Sequence, residues 1–271
     1  MVLRALFLIP GLLLAQADLG FPSYSAASVA NAASNVPGSF APNTFISIYG
    51  TNLSFSTAAI SAEEIRNGNL PTSLGSTPVR ILLSGQFADM YYVSPHQVNA
   101  LIPTHLLPGP VTLQVVLSVR AGPPVTILLE ESAPALFEGA DRFVIATHGN
   151  GPVVTAEAPA APGEVIVLYA TGLGPTSPMT QPNRIPTAPA KLTNFGAFQV
   201  WLNGVPLAKE RILYAGVTPG FAGLFQINIR LPESAAADPE IRVGTSARMS
   251  PEGRLLRLSA CSRMAVPCEA E

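Results

Sequence analysis

The stretch APGEVIVLYATGLGP, Ala161 to Pro175, has a second copy near the start of the chain, APNTFISIYGTNLS, Ala41 to Ser54. Both copies begin with Ala-Pro, continue through an apolar run that ends in tyrosine, and close with Thr-x-Leu. The residue x is Asn52 in the first copy and Gly172 in the second, the two residue types that most readily adopt a left-handed backbone conformation. Each copy is therefore predicted to be a strand that ends in a turn with positive φ.

Two further patterns recur in the same order around this stretch. QVNALIP, Gln97 to Pro103, is echoed by QINIRLP, Gln226 to Pro232, whose apolar and polar residues alternate as in a half-buried strand that proline ends. Val79 to Gly85 and Phe198 to Gly204 both alternate into a two-residue hairpin turn, Ser-Gly in the first and Asn-Gly in the second. The shared order of elements predicts an internal duplication of an all-β unit.

The remaining segments of the first half complete this unit. After its hairpin turn the chain is predicted to return through Phe87 to Val93, and the alternating stretch Val111 to Val119 and the apolar stretch Val125 to Leu129 are predicted strands. The half is then expected to close near Phe137. Within Ser56 to Asn67, the capping-box spacing of a serine and a glutamate predicts one short helix, which begins at Ser61.

Nine short motifs carry a family resemblance over most of the chain. In order they are NAAS, GTNL, LPTSLG, YVSPHQVN, APGE, YATGLGP, NGVP, YAGVTPGFAGLFQIN and LP. The chain resembles the Solibacter-type C-terminal domain family of exported bacterial proteins, and each half resembles an IPT/TIG-type immunoglobulin-like domain. It departs from the family pattern at Asn43, Ser84 and His96. The resemblance implies two sandwiches and carries over no catalytic residue.

We therefore predict two tandem immunoglobulin-like β-sandwich domains related by internal duplication. The predicted organisation is a signal peptide at 1–17, a lead-in segment at 18–39, the first immunoglobulin-like domain at 40–137, the second at 138–260, and a tail with a cysteine pair at 261–271. A longer excursion in the second half, Ala215 to Gly223, is expected to be a structural turn because of its Gly and Pro content.

The N-terminus has the three parts of an export signal. Arg4 supplies a positive charge, Ala5 to Leu14 an apolar core, and Ala15-Gln16-Ala17 a cleavage site. The alternative is a buried N-terminal strand or helix. The core is too short to span a bilayer, so the protein is expected to be extracellular, on the cell surface or periplasmic, and not membrane-spanning. In such a compartment Cys261 and Cys268 are expected to form one disulfide, with a metal or redox pair as the alternative.

Composition excludes several function classes. Hydrophobic residues make up 48% of the 271 residues, which is enough for real cores, whereas a net charge of −2 excludes the basic surface that nucleic-acid binding needs. The four aspartates are scattered, which argues against a calcium site. No phosphate-binding loop, dinucleotide-binding motif, zinc-protease motif or nucleophile elbow is present. The sequence predicts no cofactor and no metal-binding residue.

One catalytic arrangement can be imagined, a triad of Ser94, His96 and Asp89. A turn before a strand explains these residues better, because no element for an oxyanion hole accompanies them. We therefore predict no catalytic residue and no enzyme activity.

The most suggestive polar residues form the same pair in each half, Gln97 with Asn99 and Gln226 with Asn228. They could face a ligand, but a role in tying loops to the sheet through backbone hydrogen bonds is the favoured interpretation. The expected function is a non-catalytic binding or spacer module with an unknown protein or glycan partner. The alternatives are a carbohydrate-recognition module that serves an enzyme and, third, a hydrolase.

Overall fold

The computed structural model describes residues 20–259 of the chain. Within this range the protein is built from β-strands and three 3₁₀ turns, Ala26–Ser28, Phe195–Ala197 and Lys209–Arg211, and contains no α-helix. The strands form four antiparallel sheets that pack in pairs. The predicted fold class, two tandem immunoglobulin-like β-sandwiches, is confirmed.

The first sandwich contains ten strands. They are β1 (Val29–Asn31), β2 (Phe45–Tyr49), β3 (Ala58–Ala59), β4 (Val79–Leu83), β5 (Gln86–Phe87), β6 (Asp89–Val93), β7 (Gln97–Leu101), β8 (Gly109–Leu117), β9 (Arg120–Ala121) and β10 (Val125–Leu129). One sheet has the order β1-β2-β7-β6-β3, and the other has the order β10-β8-β4-β5, with β9 paired to β8. Its core lies between these sheets and includes Ile46, Val98 and Val115, which are fully buried.

The second sandwich contains eleven strands. They are β11 (Ala135–Leu136), β12 (Ala146–His148), β13 (Val165–Thr171), β14 (Thr176–Ser177), β15 (Ala190–Leu192), β16 (Gln199–Leu202), β17 (Val205–Pro206), β18 (Ile212–Val217), β19 (Phe225–Arg230), β20 (Ile241–Thr245) and β21 (Arg248–Met249). The sheets have the orders β11-β13-β19-β18-β15-β14, with β12 paired to β13, and β17-β16-β20-β21. Ile166, Ile227 and Val243 lie in the core between them.

Strand register confirms that the two halves are equivalent. Tyr49 of β2 lies opposite Gln97 of β7, and Tyr169 of β13 lies opposite Gln226 of β19. Both predicted hairpins also form around their two-residue turns, β4-β5 and β16-β17. In each turn both residues have positive φ, 47° and 85° in the first and 47° and 77° in the second, as a type I′ hairpin requires.

The turn after the repeated central strand also has the predicted backbone. The φ of Asn52 is 56° and that of Gly172 is 72°, so both residues lie in the left-handed region. Gly172 is also surrounded so closely that a side chain does not fit, which the comparison with Asn52 alone does not show. A Cβ atom at Gly172 would lie 2.4 Å from the carbonyl oxygen of Ala133 and 2.9 Å from Thr44 Oγ1, so the linker and the first sandwich press on this glycine.

Several local predictions about the first half are wrong. Ser56 to Asn67 contains no helix: the Glu64 carboxylate accepts from the Ser61 backbone N–H at 3.0 Å, as in a capping box, but only one turn forms. After its hairpin the chain does not return along β4. It pairs there through β5 and the N–H of Ala88, which donates to the carbonyl of Ile81 at 3.0 Å, and then crosses to the other sheet as β6.

The passage from one sandwich to the other falls before Phe137. β10 ends at Leu129 and belongs to the first sandwich, whereas Ala135 and Leu136 of β11 already pair with β13. The second half also has more additional residues than the excursion before β19. The 3₁₀ turn Lys209–Arg211 stands between β17 and β18, where the first half has only Ala88 between β5 and β6.

The two sandwiches pack against each other through a small apolar cluster. Leu70, Leu101 and Ala222 are buried in it, and Phe45, Ile60, Tyr91 and Ile185 pack around them. The ring of Phe45 makes edge contacts with Tyr91 in its own sandwich, at 4.8 Å between centroids, and with Phe137, at 6.4 Å. The cluster therefore joins the end of the first sandwich to loops of the second.

Backbone hydrogen bonds reinforce this junction. The N–H of Leu70 donates to the carbonyl of Asn183 at 3.1 Å, and the N–H of Ile185 donates to the carbonyl of Gly68 at 3.0 Å. Thr171, the threonine of the repeated Thr-x-Leu, is fully buried where the halves meet. Its hydroxyl oxygen accepts from the N–H of Phe45 at 3.1 Å and donates to the carbonyl of Gly223 at 3.0 Å. These bonds fix the two sandwiches relative to each other.

The export signal and the cysteine pair lie outside the described residues. Residues 1–17, Cys261 and Cys268 therefore keep the status of predictions. Within residues 20–259, none of the helical turns has the length and hydrophobicity that a membrane crossing by a helix requires.

Candidate functional site

Two tyrosines and two amides occupy the outer face of the first sheet. Tyr49 lies opposite Gln97, and Asn99 lies opposite Tyr92. Directly opposed residues of antiparallel strands point to the same side, and the alternate residues of these strands are buried in the core. All four side chains therefore face outward, and we call Tyr49, Gln97, Asn99 and Tyr92 the first platform.

The second sandwich carries the same four residue types at the same register positions. Tyr169 lies opposite Gln226, and Asn228 lies opposite Tyr214. We call Tyr169, Gln226, Asn228 and Tyr214 the second platform. All of its side chains are half-buried, and in the first platform Tyr49 is the most open, with 37% of its surface exposed. The duplication thus preserved an outward polar and aromatic surface in addition to the core.

A β-bulge places one tyrosine on each platform. In β6 the register shifts between Met90 and Tyr92, and in β18 it shifts between Ile212 and Tyr214. Met90 and Ile212 point into the cores, so strict alternation would direct the tyrosine two residues later inward as well. The extra residue reverses this direction, which is the usual effect of a bulge. Alternation in the sequence therefore concealed Tyr92 and Tyr214 as platform residues.

The amide side chains of each platform are bonded to one another. Gln97 Nε2 donates to Asn99 Oδ1 at 2.8 Å, and Gln226 Nε2 donates to Asn228 Oδ1 at 3.3 Å. Within residues 20–259 these four amides make no side-chain hydrogen bond to a loop, so the interpretation that they tie loops to the sheet is wrong. The pairs instead hold each other in a fixed orientation along the strand.

The phenol groups anchor three of the platform tyrosines. Tyr49 donates from its hydroxyl to Asn35 Oδ1 at 2.8 Å, and Tyr169 lies 3.4 Å from the hydroxyl of Thr147. Tyr214 donates to the carbonyl of Val217 at 2.9 Å and lies across Gly216, where a side chain would collide with the phenol. These hydrogen bonds of the hydroxyl groups hold the rings in defined positions, and each of the three tyrosines remains partly exposed to solvent.

The imagined triad is not assembled. Ser94 shapes the turn between β6 and β7: its hydroxyl accepts from the N–H of Gln97 at 3.0 Å, and His96 Nδ1 faces the carbonyl of Gly50 at 3.3 Å. Asp89 begins β6, whereas Ser94 follows its end, so about five residues at 3.3 Å each separate them along the strand. The three side chains therefore share no site.

Asp89 is buried at the junction of the two halves, with 5% of its surface exposed. Burial raises the pKa of its carboxyl group to about 7. When the Asn183 amide is oriented with its nitrogen toward both acceptors, Nδ2 donates to Asp89 Oδ1 at 2.6 Å and to the carbonyl of Leu70 at 2.7 Å. A residue imagined as catalytic is thus part of the contact between the sandwiches.

The excursion Ala215 to Gly223 also belongs to this contact. Its first three residues continue β18, and the loop that follows closes onto the first sandwich. The Tyr91 hydroxyl donates to the carbonyl of Ala222 at 3.5 Å, and Thr171 donates to the carbonyl of Gly223. These contacts give the loop a structural role.

A cleft lies beside Glu130, Arg248 and Phe198. Its volume of about 210 Å³ is below the roughly 300 to 1,000 Å³ of small-molecule pockets. Between residues 20 and 259, no group of three or more His, Cys, Asp or Glu side chains is placed to hold a metal ion. The platforms are therefore the surfaces with the most distinctive chemistry.

Comparison with known proteins gives distant structural similarities. No family model and no curated protein matches the chain. The surface glycan-binding protein SGBP-B of the Bacteroides ovatus mixed-linkage glucan utilization locus, solved with a mixed-linkage heptasaccharide, is 10% identical with a TM-score of 0.34, over 88% of this chain and 46% of that chain. The surface glycan-binding protein PbSGBP-B of Prevotella bryantii is 14% identical with a TM-score of 0.26, over 86% and 41%.

The third similarity is to domains 5–6 of the S-layer protein SbsC, which are 8% identical with a TM-score of 0.27, over 89% of this chain and 100% of that one. The chain thus spans less than half of the length of the two glycan-binding proteins. With all three TM-scores below 0.5, these similarities assign neither a ligand nor a family to this chain.

Proposed function

We propose that the chain is an exported, non-catalytic carbohydrate-binding module and that the two platforms are its binding surfaces. The observation that carries the proposal is the recurrence of the same four outward residue types, at equivalent register positions and after equivalent bulges. Packing explains why the apolar strands repeat. It does not explain outward tyrosines and amides that contribute little to either core. A shared binding role accounts for this repetition.

The chemistry of the platforms suits a carbohydrate. A sugar presents apolar C–H surface, which packs on an aromatic ring, and many hydroxyl groups, which both donate and accept hydrogen bonds. The bond between Gln97 and Asn99 uses one N–H and one carbonyl lone pair. The rest of both amides, with further donors and acceptors, remains available to hydroxyl groups.

The open sheet face suits a polymer better than a small molecule. An extended glycan can lie along strands without entering a deep pocket, and the cleft beside Glu130 and Arg248, at about 210 Å³, is smaller than a typical small-molecule pocket. The bonds of Thr171 and the Asn183 segment fix the sandwiches relative to each other. Two platforms on one such unit would bind one polymer with higher avidity than either platform alone.

The non-catalytic part of the proposal is supported by the separation of Ser94, His96 and Asp89 into a turn and a domain junction. Export is proposed from the signal-like residues 1–17. Membership of the Solibacter-type family is proposed from the nine motifs in order.

Removal of the platform tyrosines is expected to abolish glycan retention. Wild-type protein is expected to migrate more slowly in native gels that contain a plant or bacterial polysaccharide to which it binds. Tyr49→Ala and Tyr169→Ala should each weaken retention about tenfold, because loss of one aromatic stacking contact costs on the order of 1 kcal/mol or more. The double variant should migrate as in a gel without polysaccharide.

Phe87→Ala is the matched control. Phe87 is an aromatic residue with 47% of its surface exposed, but it lies in β5 of the opposite sheet. Its replacement should leave retention unchanged, and thermal unfolding should show that all variants are folded. Normal retention of the double tyrosine variant would exclude the platforms, and lack of retention in a broad panel of neutral and acidic polysaccharides would contradict the proposed function.

A further inference from the structure

The chain contains only two lysines, Lys191 and Lys209, and both reach the same aromatic ring. The ammonium nitrogen of Lys191 lies 3.6 Å from the ring centroid of Phe195, and that of Lys209 lies 4.1 Å from it. Lys191 is in β15, whereas Lys209 is in a 3₁₀ turn after the next hairpin. The fold therefore brings together the only two primary ammonium side chains of the chain.

Neither ammonium group has a carboxylate partner in the described structure. Between residues 20 and 259, every ion pair within 4.0 Å is made by an arginine or by His148. Partial burial, and then the charge of Lys191, lower the pKa of Lys209. The face of the Phe195 ring attracts both cations but carries no net charge to neutralise them. An excess of positive charge thus remains at this point.

The two lysines keep free hydrogen-bond donors. Lys209 Nζ donates to the carbonyl groups of Phe195 and Phe198, the second at 3.0 Å, which leaves one of its three N–H groups unused. Lys191 makes no hydrogen bond through its side chain within residues 20–259. The site therefore combines one anchored cation with one that can adjust to a ligand.

The position of Lys191 links this cluster to the second platform. Lys191 lies opposite Gly216, Gly216 lies opposite Gln226, and Gln226 lies opposite Tyr169. Opposed residues share a face of the sheet, so the Lys191 side chain starts on the platform side, about 10 Å from the backbone of Gln226 across two strand spacings. The phenol of Tyr214, a member of the second platform, lies across Gly216 between them, and its hydroxyl donates to the carbonyl of Val217. A ligand that packs on the Tyr214 ring can therefore extend to the lysine.

We infer that Lys191, Lys209 and Phe195 form an anion subsite that extends the second platform and binds the carboxylate or sulfate group of an acidic polysaccharide. This inference rests on the proposed carbohydrate function and specifies its substrate class. An oxyanion has several acceptor oxygens and can neutralise both ammonium groups while it takes up their free N–H groups. The ring of Phe195 holds the cations in place for this contact.

The presence of two lysines allows a direct test. Growth on lysine labelled with ¹³C at Cε labels only Lys191 and Lys209 and leaves their N–H groups intact, and Lys191→Arg and Lys209→Arg variants assign the two resonances. Sodium sulfate is expected to shift both lysine resonances in a saturable way, whereas sodium chloride at equal ionic strength should not. Equal, non-saturable shifts with both salts would show screening alone and would overturn the subsite.

Binding to polymers tests the link to the platform. Lys191→Gln should weaken retention by polygalacturonate or chondroitin sulfate about fivefold or more, the loss expected for one charge-assisted contact, and should leave retention by a neutral glucan unchanged. Arg80→Gln is the control, since it removes the same charge from a cation that lies 5.7 Å from the Phe87 ring in the other sandwich.

The outcomes separate the subsite from the proposed function. If a neutral glucan is retained while Lys191→Gln binds acidic polymers as well as wild type does, the proposed function stands and the anion subsite is wrong. If no polymer is retained but sulfate gives saturable shifts of both lysines, the anion site stands and the carbohydrate function is wrong. Equal losses in Lys191→Gln and Arg80→Gln would indicate a general charge effect and would also overturn the subsite.

Discussion

The wild-type protein is expected to lose stability as the pH rises from about 5.5 to 8.5, and the Asp89→Asn variant is expected not to show this loss. Burial raises the pKa of this carboxyl group from 3.8 to about 7 in the folded protein. The folded state therefore binds a proton that the unfolded chain releases between these values. The resulting stabilisation is fully present below pH 3.8 and is lost as the pH rises through 7.

The size of this effect follows from the difference between the two pKa values. One unit corresponds to about 1.4 kcal/mol, so the difference of about three units should lower the unfolding free energy by about 4 kcal/mol in total, of which about 2 kcal/mol falls between pH 5.5 and pH 8.5. The Asn183 amide faces the carboxyl group, and burial, followed by the nearby Asp89 charge, raises the pKa of the Tyr91 phenol. Arg184 lines the same crevice but donates to the carbonyl of Asn67, so it does not compensate the carboxylate.

Urea denaturation followed by circular dichroism at pH 5.5 and pH 8.5 measures the part of the loss that falls between these values, about 2 kcal/mol. Asp141→Asn is the control, because Asp141 is exposed and its pKa is lowered by the N–H of Phe143 and by Arg257, so its removal should leave the loss at high pH in place. Equal stability of wild type at the two pH values, or the same loss in Asp89→Asn, would contradict the assignment of the effect to this carboxyl group.

Asp89 illustrates what the sequence can and cannot predict. The repeated motifs predicted that Tyr49 is equivalent to Tyr169 and Gln97 to Gln226, and in each half the tyrosine indeed lies opposite the glutamine. The environment of Asp89 depends on Asn183, 94 residues later, whose segment docks across the junction. No local pattern encodes that contact, so the sequence analysis set the triad aside correctly but gave no indication that Asp89 lies between the two domains.

The platforms were predictable only in part for a related reason. Gln97, Asn99 and their counterparts were identified from the repeat, but the tyrosines beside them depend on bulges that reverse the direction of Tyr92 and Tyr214. A bulge adds one residue without a distinctive sequence, so alternation alone assigns the wrong face. The helix predicted from the capping-box spacing of Ser61 and Glu64 does not form, for a different reason. The local hydrogen bond is present, but no apolar face follows it to stabilise a helix.

Gly172→Ala is expected to destabilise the protein far more than Gly204→Ala, although the two glycines have nearly the same φ, 72° and 77°. Both alanine variants place a side chain in the left-handed region, which costs roughly 1 to 2 kcal/mol. A Cβ atom at Gly204 meets nothing within 4 Å, whereas one at Gly172 lies 2.4 Å from the Ala133 carbonyl oxygen. Since that oxygen belongs to the backbone that links the sandwiches, relief requires a shift of the chain.

We therefore expect Gly204→Ala to lower the unfolding free energy by about 1 kcal/mol, and Gly172→Ala to lower it by about 3 kcal/mol or more, because overpacking is added to backbone strain. Gly172→Asn separates these causes. Asparagine tolerates positive φ, as Asn52 does at the equivalent position of the first copy, but it still carries the Cβ atom that collides with Ala133. It should therefore be nearly as unstable as the alanine variant in urea denaturation. If Gly172→Asn has wild-type stability, positive φ alone explains the glycine at position 172, and the close approach of the Ala133 carbonyl adds nothing to the cost of a side chain there.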